Sequence, residues 1–362
     1  MSKQKTAFDV LVTALQWVPT ILIYASALVV LWVLYPVFKA LREVRSPNMS
    51  SEDVYITFDE PEVADSEGTR RRRTASAARE AGSILKSDAG NSIHRERRFP
   101  SLNDTSSVTL SLIVPAYNEQ TRLPIMLDET LGYLEGRMRR ESKFSYEIIV
   151  VDDGSRDRTV QVALDYVRRY GSDKIRLLKL HKNHGKGGAV RKGMLRARGE
   201  FLLMVDADGA TRISDIERLE AALLDLGKRR RATQGSVAIG SRHHLMQEAV
   251  ANRSLLRNLL MYGFHFYVSA LCAPGVHDTQ CGFKLFSRTA ARRLFPPLHI
   301  SRWAFDVELL HLSSRMHIPV IEVAVNWEEI PGSKVSLIES IPQMARDILV
   351  IRLCYALGLW KA

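Results

Sequence analysis

The sequence predicts an α/β protein built on an open, layered sheet of mostly parallel strands. Four short apolar runs, separated by stretches of helix or loop length, lie at 110–114, 147–151, 175–180 and 201–205. Residues 121–140 and 159–170 have helical apolar spacing and fill two of the gaps. This alternation is typical of buried parallel strands. A hydrophobic content of 46% and a charged content of 25% exclude a disordered chain and a multi-span transporter.

The N-terminal region contains a long apolar run. From Val10 to Phe38 the chain has no Asp, Glu, Lys or Arg, and this run exceeds the ~20 residues that span a bilayer. It is too long for a buried core helix, and no small-residue cleavage site follows Tyr35, which argues against a secretory signal peptide. We therefore predict a transmembrane anchor at 10–38, preceded by a short tail at 1–9.

Residues 39–107 are polar and predict a mostly disordered tether. An acidic block is followed by a basic one that includes Arg70–Arg73, and the only apolar patch is Val54–Phe58. The basic block is either a solvated charge run, which we favour, or a contact for anionic lipid. No aromatic residues interleave with its arginines, so nucleic acid is a poor partner. The catalytic domain is expected at 108–362.

Few features of the sequence indicate the orientation of the predicted anchor in the membrane. Lys and Arg counts on its two flanks are nearly balanced, whereas Arg70–Arg73 favours a cytosolic position for the C-terminal side. The chain has 3 cysteines, which cannot form a fully paired disulfide framework. Asn103-Asp-Thr is one of several glycosylation acceptor patterns, which matter only if the body is lumenal.

Polar motifs follow all four predicted strands. In open α/β sheets, ligands bind beyond the carboxyl ends of the strands, so these residues are expected to meet at one site. In chain order the motifs are Pro115-Ala-Tyr-Asn-Glu119, Asp152-Asp-Gly-Ser-Arg-Asp-Arg-Thr159, Asn183-His-Gly-Lys-Gly-Gly188 and Asp206-Ala-Asp208.

Two of these motifs predict a site for a metal and a diphosphate. Asp206 and Asp208 lie on one side of an extended segment, and paired carboxylates suit a hard divalent cation. Lys186 is followed by glycine rather than Ser or Thr, which excludes a P-loop, and the glycine spacing also misses the dinucleotide fingerprint. The remaining interpretation is that Lys186 places its positive charge near a diphosphate, and the alternative is a plain glycine-rich turn.

Together these motifs, with Gly240-Ser-Arg242, resemble the family 2 glycosyltransferases, which have the GT-A (nucleotide-diphospho-sugar transferase) fold. Two later segments, Asp278–Phe286 and Arg302–Leu310, resemble the dolichyl-phosphate β-glucosyltransferases of the endoplasmic reticulum. The resemblance runs from about Leu110 to the C-terminus. It implies a single-pass endoplasmic reticulum membrane protein with a cytosolic catalytic domain, acting in protein N-glycosylation. The long tether is the main departure from this group.

The resemblance implies transfer of glucose from UDP-glucose to dolichyl phosphate with inversion at the anomeric carbon. Residues implied to bind the nucleotide are Pro115, Tyr117, Glu119, Asp152, Asp153, Lys186 and Asp206. Asp206 and Asp208 are implied to hold Mg²⁺ or Mn²⁺, which neutralises charge on the departing UDP. Related transferases have a further ligand two positions after the second Asp, where this chain has Ala210.

The acceptor phosphate needs cations more than a base, because a phosphate monoester is already largely anionic near neutral pH. The resemblance and the charge of the side chains indicate Arg242, Arg253, Arg257 and Lys284 as its ligands. Asp278 matches a position often assigned as the catalytic base. Its alternative role is to orient Arg242 or Lys284 through an ion pair.

Two C-terminal segments predict contact with membrane lipid. We expect interfacial helices near 254–275 and 337–360, and a second span or a core helix is the alternative for the first of them. A dolichyl-phosphate mannosyltransferase using GDP-mannose is the nearest competing function, and an inactive membrane scaffold is a hypothesis of another class. The oligomeric state and the preferred metal stay open.

Overall fold

The computed structural model describes residues 24, 26–36, 53–58, 85–87, 93–230, 235–245, 263–264, 266–272, 275–330 and 337–361. Of the predicted anchor at 10–38, residues 24 and 26–36 are described and are helical, and the others lie outside the described residues. Within these ranges, no helix combines the length and the apolar character needed to cross a bilayer. The anchor stays a prediction.

A seven-stranded sheet forms the centre of the domain. Its strands are β4 (Val108–Ala116), β5 (Tyr146–Asp152), β6 (Ile175–Lys179), β7 (Gly199–Met204), β8 (Val237–Ser241), β9 (Lys284–Ser287) and β10 (Val320–Ala324), in the order β10-β8-β9-β7-β4-β5-β6. Only β9 runs antiparallel to its two neighbours, and the other pairings are parallel. The predicted mixed, mostly parallel sheet is therefore confirmed, and so are its first four strands.

Helices cover both faces of this sheet. They are α1 (Arg122–Arg140), α2 (Thr159–Tyr170), α3 (Lys186–Met194), α4 (Ile216–Arg230), α5 (Arg288–Leu294), α6 (Phe305–Arg315) and α7 (Leu337–Ala356). Leu110, Leu112 and Val114 of β4 pack into one apolar core, whereas Ile113 packs into the core on the other face. Side chains alternate between faces along a strand, so a strand covered on both sides is apolar throughout.

The predicted tether contains a small folded sheet. Its antiparallel strands are β1 (Val54–Phe58), β2 (Leu85–Ser87) and β3 (Ile93–Arg98), and the backbone N–H of Phe99 donates to the carbonyl of Asp53 (2.7 Å). The ring of Tyr55 lies 4.9 Å from that of Phe99 and 5.0 Å from the guanidinium of Arg176. The prediction of disorder is wrong for these strands, because the apolar patch pairs in β1 and packs on the catalytic domain. The rest of 39–92 lies outside the described residues.

The two predicted interfacial helices are partly described. In the first, 263–264 and 266–271 are helical, with Phe266 exposed and Val268 buried. In the second, α7 buries Ile348 and Ile351 in the domain core, while Ile341 is exposed. Both segments therefore have one face on the protein, and their contact with lipid stays a prediction.

Candidate active site

The carboxyl ends of four adjacent strands open into a cavity of about 410 Å³. Its walls carry residues that follow β4, β5, β6 and β7, as the strand-end argument predicts. The sequence-predicted residues that line it are Pro115, Tyr117, Glu119, Asp153, Lys186, Asp206 and Asp208. The opposite wall carries Arg302 and Trp303 from the loop before α6, and Trp327, Glu329 and Ile330 from the segment after β10.

The two aspartates after β5 have different positions. The Asp153 carboxylate lines the cavity and accepts hydrogen bonds from the backbone N–H groups of His184 (2.7 Å) and Gly185 (2.8 Å). Burial outweighs these bonds and raises the pKa of Asp153 to about 7. Asp152 lies behind it, fully buried, where one oxygen accepts from the N–H of Ser155 (3.2 Å). Only Asp153 is therefore placed to contact a ligand directly.

Close packing explains the glycines around Lys186. A Cβ on Gly187 would lie 2.6 Å from the Cβ of Phe305, and one on Gly185, which has a φ of 81°, would lie 2.6 Å from the carbonyl oxygen of Ser301. That carbonyl accepts the N–H of Gly188 (2.9 Å). The glycines let α3 begin directly against the loop before α6, so that the first residue of this helix faces the cavity.

Lys186, Asp206 and Asp208 form the charged centre of the cavity. Lys186 Nζ lies 2.6 Å from Asp206 Oδ1. The pKa of this lysine is raised, because the nearby carboxylates raise it by more than burial lowers it. Asp208 accepts a hydrogen bond from the N–H of Ala210 (3.1 Å), and burial together with the charge of Asp206 raises its pKa. Gly282 lies against the Asp206 carboxylate, where a Cβ would clash. Two carboxylates held this close suit a divalent cation.

The protein provides two carboxylates here rather than a complete metal cage. No group of three or more His, Cys, Asp or Glu suited to a metal occurs within the described ranges. Ala210 contributes its backbone, not a ligating side chain. A cation on Asp206 and Asp208 therefore requires oxygens from a diphosphate or water to complete its coordination.

Arg242 and Asp278 form a bidentate pair beside this centre. Arg242 Nε and Nη2 donate to the two oxygens of Asp278 (2.7 and 2.9 Å). Burial acts to raise the pKa of Asp278, but the hydrogen bonds from Arg242 outweigh it and hold the pKa below its usual range. The Arg242 guanidinium also lies 5.3 Å from the ring of Trp327 in the cavity wall. This geometry favours the orienting role of Asp278.

The structure corrects the prediction for Lys284. This residue begins β9, and its side chain is only 1% exposed. Its Nζ donates to Asp306 Oδ1 (2.7 Å) and to the carbonyl of Cys281 (2.6 Å). Because it is enclosed and does not line the cavity, Lys284 is a buried partner of Asp306 and not a phosphate ligand. Arg253 and Arg257 lie outside the described residues.

Sequence reasoning missed an arginine that lines the cavity. Arg122, in the first turn of α1, donates from Nη2 and Nε to both oxygens of Glu119 (2.6 and 2.7 Å). Asp206 and Asp208 are near enough to contribute to its raised pKa, although the bond to Glu119 contributes most. The spacing of three residues at the start of a helix was the available signal. The opposite wall, by contrast, is assembled from distant segments.

Comparison with known proteins places this site in a family. Residues 111–295 match the glycosyl transferase family 2 model. Dolichyl-phosphate beta-glucosyltransferase of Homo sapiens is 54% identical over 74% of this chain and 82% of its own length. The proteins of that name from Dictyostelium discoideum and Saccharomyces cerevisiae are 52% and 41% identical, over 82% and 81% of their lengths and 74% and 73% of this chain. Fold and site thus define a family 2 glycosyltransferase with a GT-A-like fold. Within this family, the chain belongs to the dolichyl-phosphate β-glucosyltransferases.

A comparison of structures gives a weaker similarity. Glucosyl-3-phosphoglycerate synthase of Mycobacterium tuberculosis is 18% identical and has a TM-score of 0.46, covering 70% of this chain and 81% of its own. The family assignment therefore depends on the sequence matches.

Proposed function

We propose that this protein transfers glucose from UDP-glucose to dolichyl phosphate, forming dolichyl β-D-glucosyl phosphate and UDP. The observation that carries this proposal is the 54% identity to a human dolichyl-phosphate beta-glucosyltransferase over 82% of that protein. The cavity supports it, since aspartates and Lys186 meet there as a nucleotide-sugar site requires.

The donor end is assigned from the cavity wall. Pro115, Tyr117 and Asp153 form the part that would take uridine, and Glu119, held by Arg122, would lie near the ribose. Asp152, buried behind this wall, would support it through the hydrogen bond that it accepts from the N–H of Ser155. Lys186, at the start of α3, would meet the diphosphate, where its charge and the helix N-terminus both favour an anion.

The carboxylates of Asp206 and Asp208 would hold Mg²⁺ or Mn²⁺. Their placement in one cavity and the raised pKa of Asp208, caused by burial and by Asp206, fit a site that gains from a cation. The cation would neutralise charge that builds up as UDP departs. Lys186 would remain charged and stabilise the same oxygens.

On the acceptor side, Arg242 would hold the lipid phosphate in line with the anomeric carbon. Asp278 would fix the guanidinium through its two hydrogen bonds, and Arg253 and Arg257 would add further charge. One phosphate oxygen forms the bond to the anomeric carbon while the bond from that carbon to the UDP oxygen breaks. The nucleophile is already anionic, so no proton has to be removed.

We further propose that the protein is a single-pass endoplasmic reticulum membrane protein with its catalytic domain in the cytosol, where it serves protein N-glycosylation. The uncharged run at 10–38 supports the anchor. Phe266, Ile341 and Leu357 are exposed apolar side chains on or next to the two predicted interfacial helices, which supports contact with lipid.

The test is transfer by the purified full chain in detergent, with UDP-glucose and GDP-mannose compared as donors to dolichyl phosphate, with and without Mn²⁺. We expect a glucosylated lipid product that depends on the metal. Selective mannose transfer would overturn the assignment of the donor. Hydrolysis of UDP-glucose without a lipid product would overturn the assignment of the acceptor.

A further inference from the structure

A fully buried carboxylate, which no step above uses, lies behind the cavity wall. Glu308 of α6 is 0% exposed. Its oxygens accept hydrogen bonds from the backbone N–H groups of His299 (3.0 Å) and Ile300 (2.6 Å) and from the hydroxyl of Tyr355 (2.9 Å). A buried charge is costly unless it is hydrogen-bonded, so this set of donors belongs to an organised site.

The backbone that Glu308 holds is the loop that forms one wall of the cavity. Arg302 and Trp303 of this loop, two and three residues beyond Ile300, line the cavity. The carbonyl of Ser301 accepts the N–H of Gly188 (2.9 Å), two residues after Lys186. Lys186 Nζ lies 5.9 Å from the ring of Trp303. The shape of this loop therefore sets both the opposite wall and the position of the lysine that pairs with Asp206.

The C-terminal helix holds the same loop from the other side. Tyr355 is 2% exposed and lies in the last turn of α7. Beyond the helix, the ring of Trp360 stacks on that of His299, with centroids 4.3 Å apart and planes 3° from parallel. A chain of contacts thus runs from α7 through Glu308 and the loop to the charged centre of the cavity.

We propose that Glu308 is a positioning residue for the nucleotide-sugar site, and that Tyr355 makes the C-terminal helix part of that site. Glu308 holds the loop in the shape that presents Arg302 and Trp303 to the donor. The identity of the donor, UDP-glucose, rests on the proposed function. The positional role rests on the contacts of Glu308 alone.

The test compares Glu308→Ala, Glu308→Gln and Tyr355→Phe in the full chain. For each variant, UDP binding in the presence of Mn²⁺ is measured by calorimetry, and kcat and KM for UDP-glucose are measured in the transfer assay. We expect Glu308→Ala to weaken UDP binding and raise the KM by about tenfold, because small displacements of positioning groups have large effects. Gln keeps one acceptor oxygen, so Glu308→Gln restores part of the affinity. Tyr355→Phe has the smallest effect.

Glu147→Gln is the matched control. Glu147 is also 0% exposed and accepts from Ser111 Oγ (2.5 Å) and the N–H of Arg198 (2.8 Å), but it lies at the opposite ends of the strands. We expect it to lower the Tm without changing UDP affinity. The proposal is wrong if the Glu308 variants lower only the Tm, as this control does. UDP binding needs no acceptor, so a wild-type chain that binds UDP without transferring glucose would refute the proposed function while leaving this test intact.

Discussion

The pairing of Asp206 with Asp208 has opposite effects on stability and on function. Because burial and the charge of Asp206 raise the pKa of Asp208, the ionised form of Asp208 is less stable in the folded chain than in the unfolded one. Its contribution to stability therefore falls as pH rises through the interval between the usual pKa and the raised one. A bound cation would reverse this penalty.

We predict that Asp208→Asn raises the Tm of the metal-free protein at neutral pH and lowers transfer by about two orders of magnitude, because the like charge and the metal ligand are lost together. The Tm with and without Mn²⁺ and UDP, and the transfer rate, are the measurements. Asp225→Asn is the control, since Asp225 lies on the surface beside Arg229. An equal rise in Tm on adding Mn²⁺ and UDP in wild type and Asp208→Asn would contradict the metal assignment.

The two roles of Asp278, orienting Arg242 and acting as a base, lead to different effects of its variants. A carboxylate with a lowered pKa is a weak base, whereas both of its oxygens are well placed to orient Arg242. We expect Arg242→Ala, Asp278→Ala and the double variant to raise the KM for dolichyl phosphate by similar factors, with a coupling of ~1–3 kcal/mol. Steady-state kinetics with varied acceptor provides the measurement.

The pH profile of kcat for the Asp278→Asn variant distinguishes a catalytic base from a residue that orients Arg242. If Asp278 acts as a base, its loss lowers kcat with little change in the KM for the acceptor, and the acid limb of the kcat profile disappears. If it orients Arg242, the profile keeps its shape while the KM rises. A result of the first kind would return Asp278 to the role of catalytic base.

The glycine-rich start of α3 combines a packing requirement with a chemical one. Its glycines allow contact between this helix and the loop before α6, and that contact brings Lys186 to the cavity. The atoms that exclude a Cβ belong to the loop before α6 at Gly185, through the carbonyl of Ser301, and to the side chain of Phe305 at Gly187. This requirement is invisible in the sequence because the two segments are far apart along the chain.

We predict that Gly187→Ala destabilises the protein by ~1–3 kcal/mol, because the new Cβ would lie 2.6 Å from that of Phe305 and 2.9 Å from the carbonyl of Ile300. Gly132→Ala is the control. Gly132 is exposed in α1 with nothing within 4 Å of a Cβ, so this change should stabilise the helix by about 1 kcal/mol. Urea unfolding measures both, and equal effects of the two substitutions would refute the packing argument.

Some strands and helices of the fold could be predicted from local sequence patterns, and others could not. The strands β4 to β7 and helices α1 and α2 were predictable, because apolar period and strand-end motifs are local. The position of β9 between β7 and β8 was not, because it arises from pairing between segments distant in sequence. Lys284 was misassigned for this reason. In an isolated strand it looks available, whereas in a central strand it is buried against Asp306.

The whole protein carries a formal net charge of +11. A basic protein is attracted to anionic surfaces, and such attraction would complement the anchor and the two C-terminal segments. The folded sheet at 54–58, 85–87 and 93–98 makes the connection to the domain shorter than a disordered tether of 39–107 would. The side of the membrane on which the catalytic domain lies, cytosolic or lumenal, can therefore be tested from a residue near the start of that domain.

The natural acceptor pattern at Asn103 provides the test of that orientation. Asn103-Asp-Thr is exposed in a turn at the start of the catalytic domain, so a lumenal domain would present it for glycosylation. We predict no glycan on Asn103 in the full chain inserted into microsomes, as measured by electrophoretic mobility before and after endoglycosidase treatment. An acceptor sequence on an extension ahead of Met1 should be modified instead, because the N-terminus would be lumenal. A mobility shift that disappears in Asn103→Gln would place the active site in the lumen and overturn the cytosolic assignment.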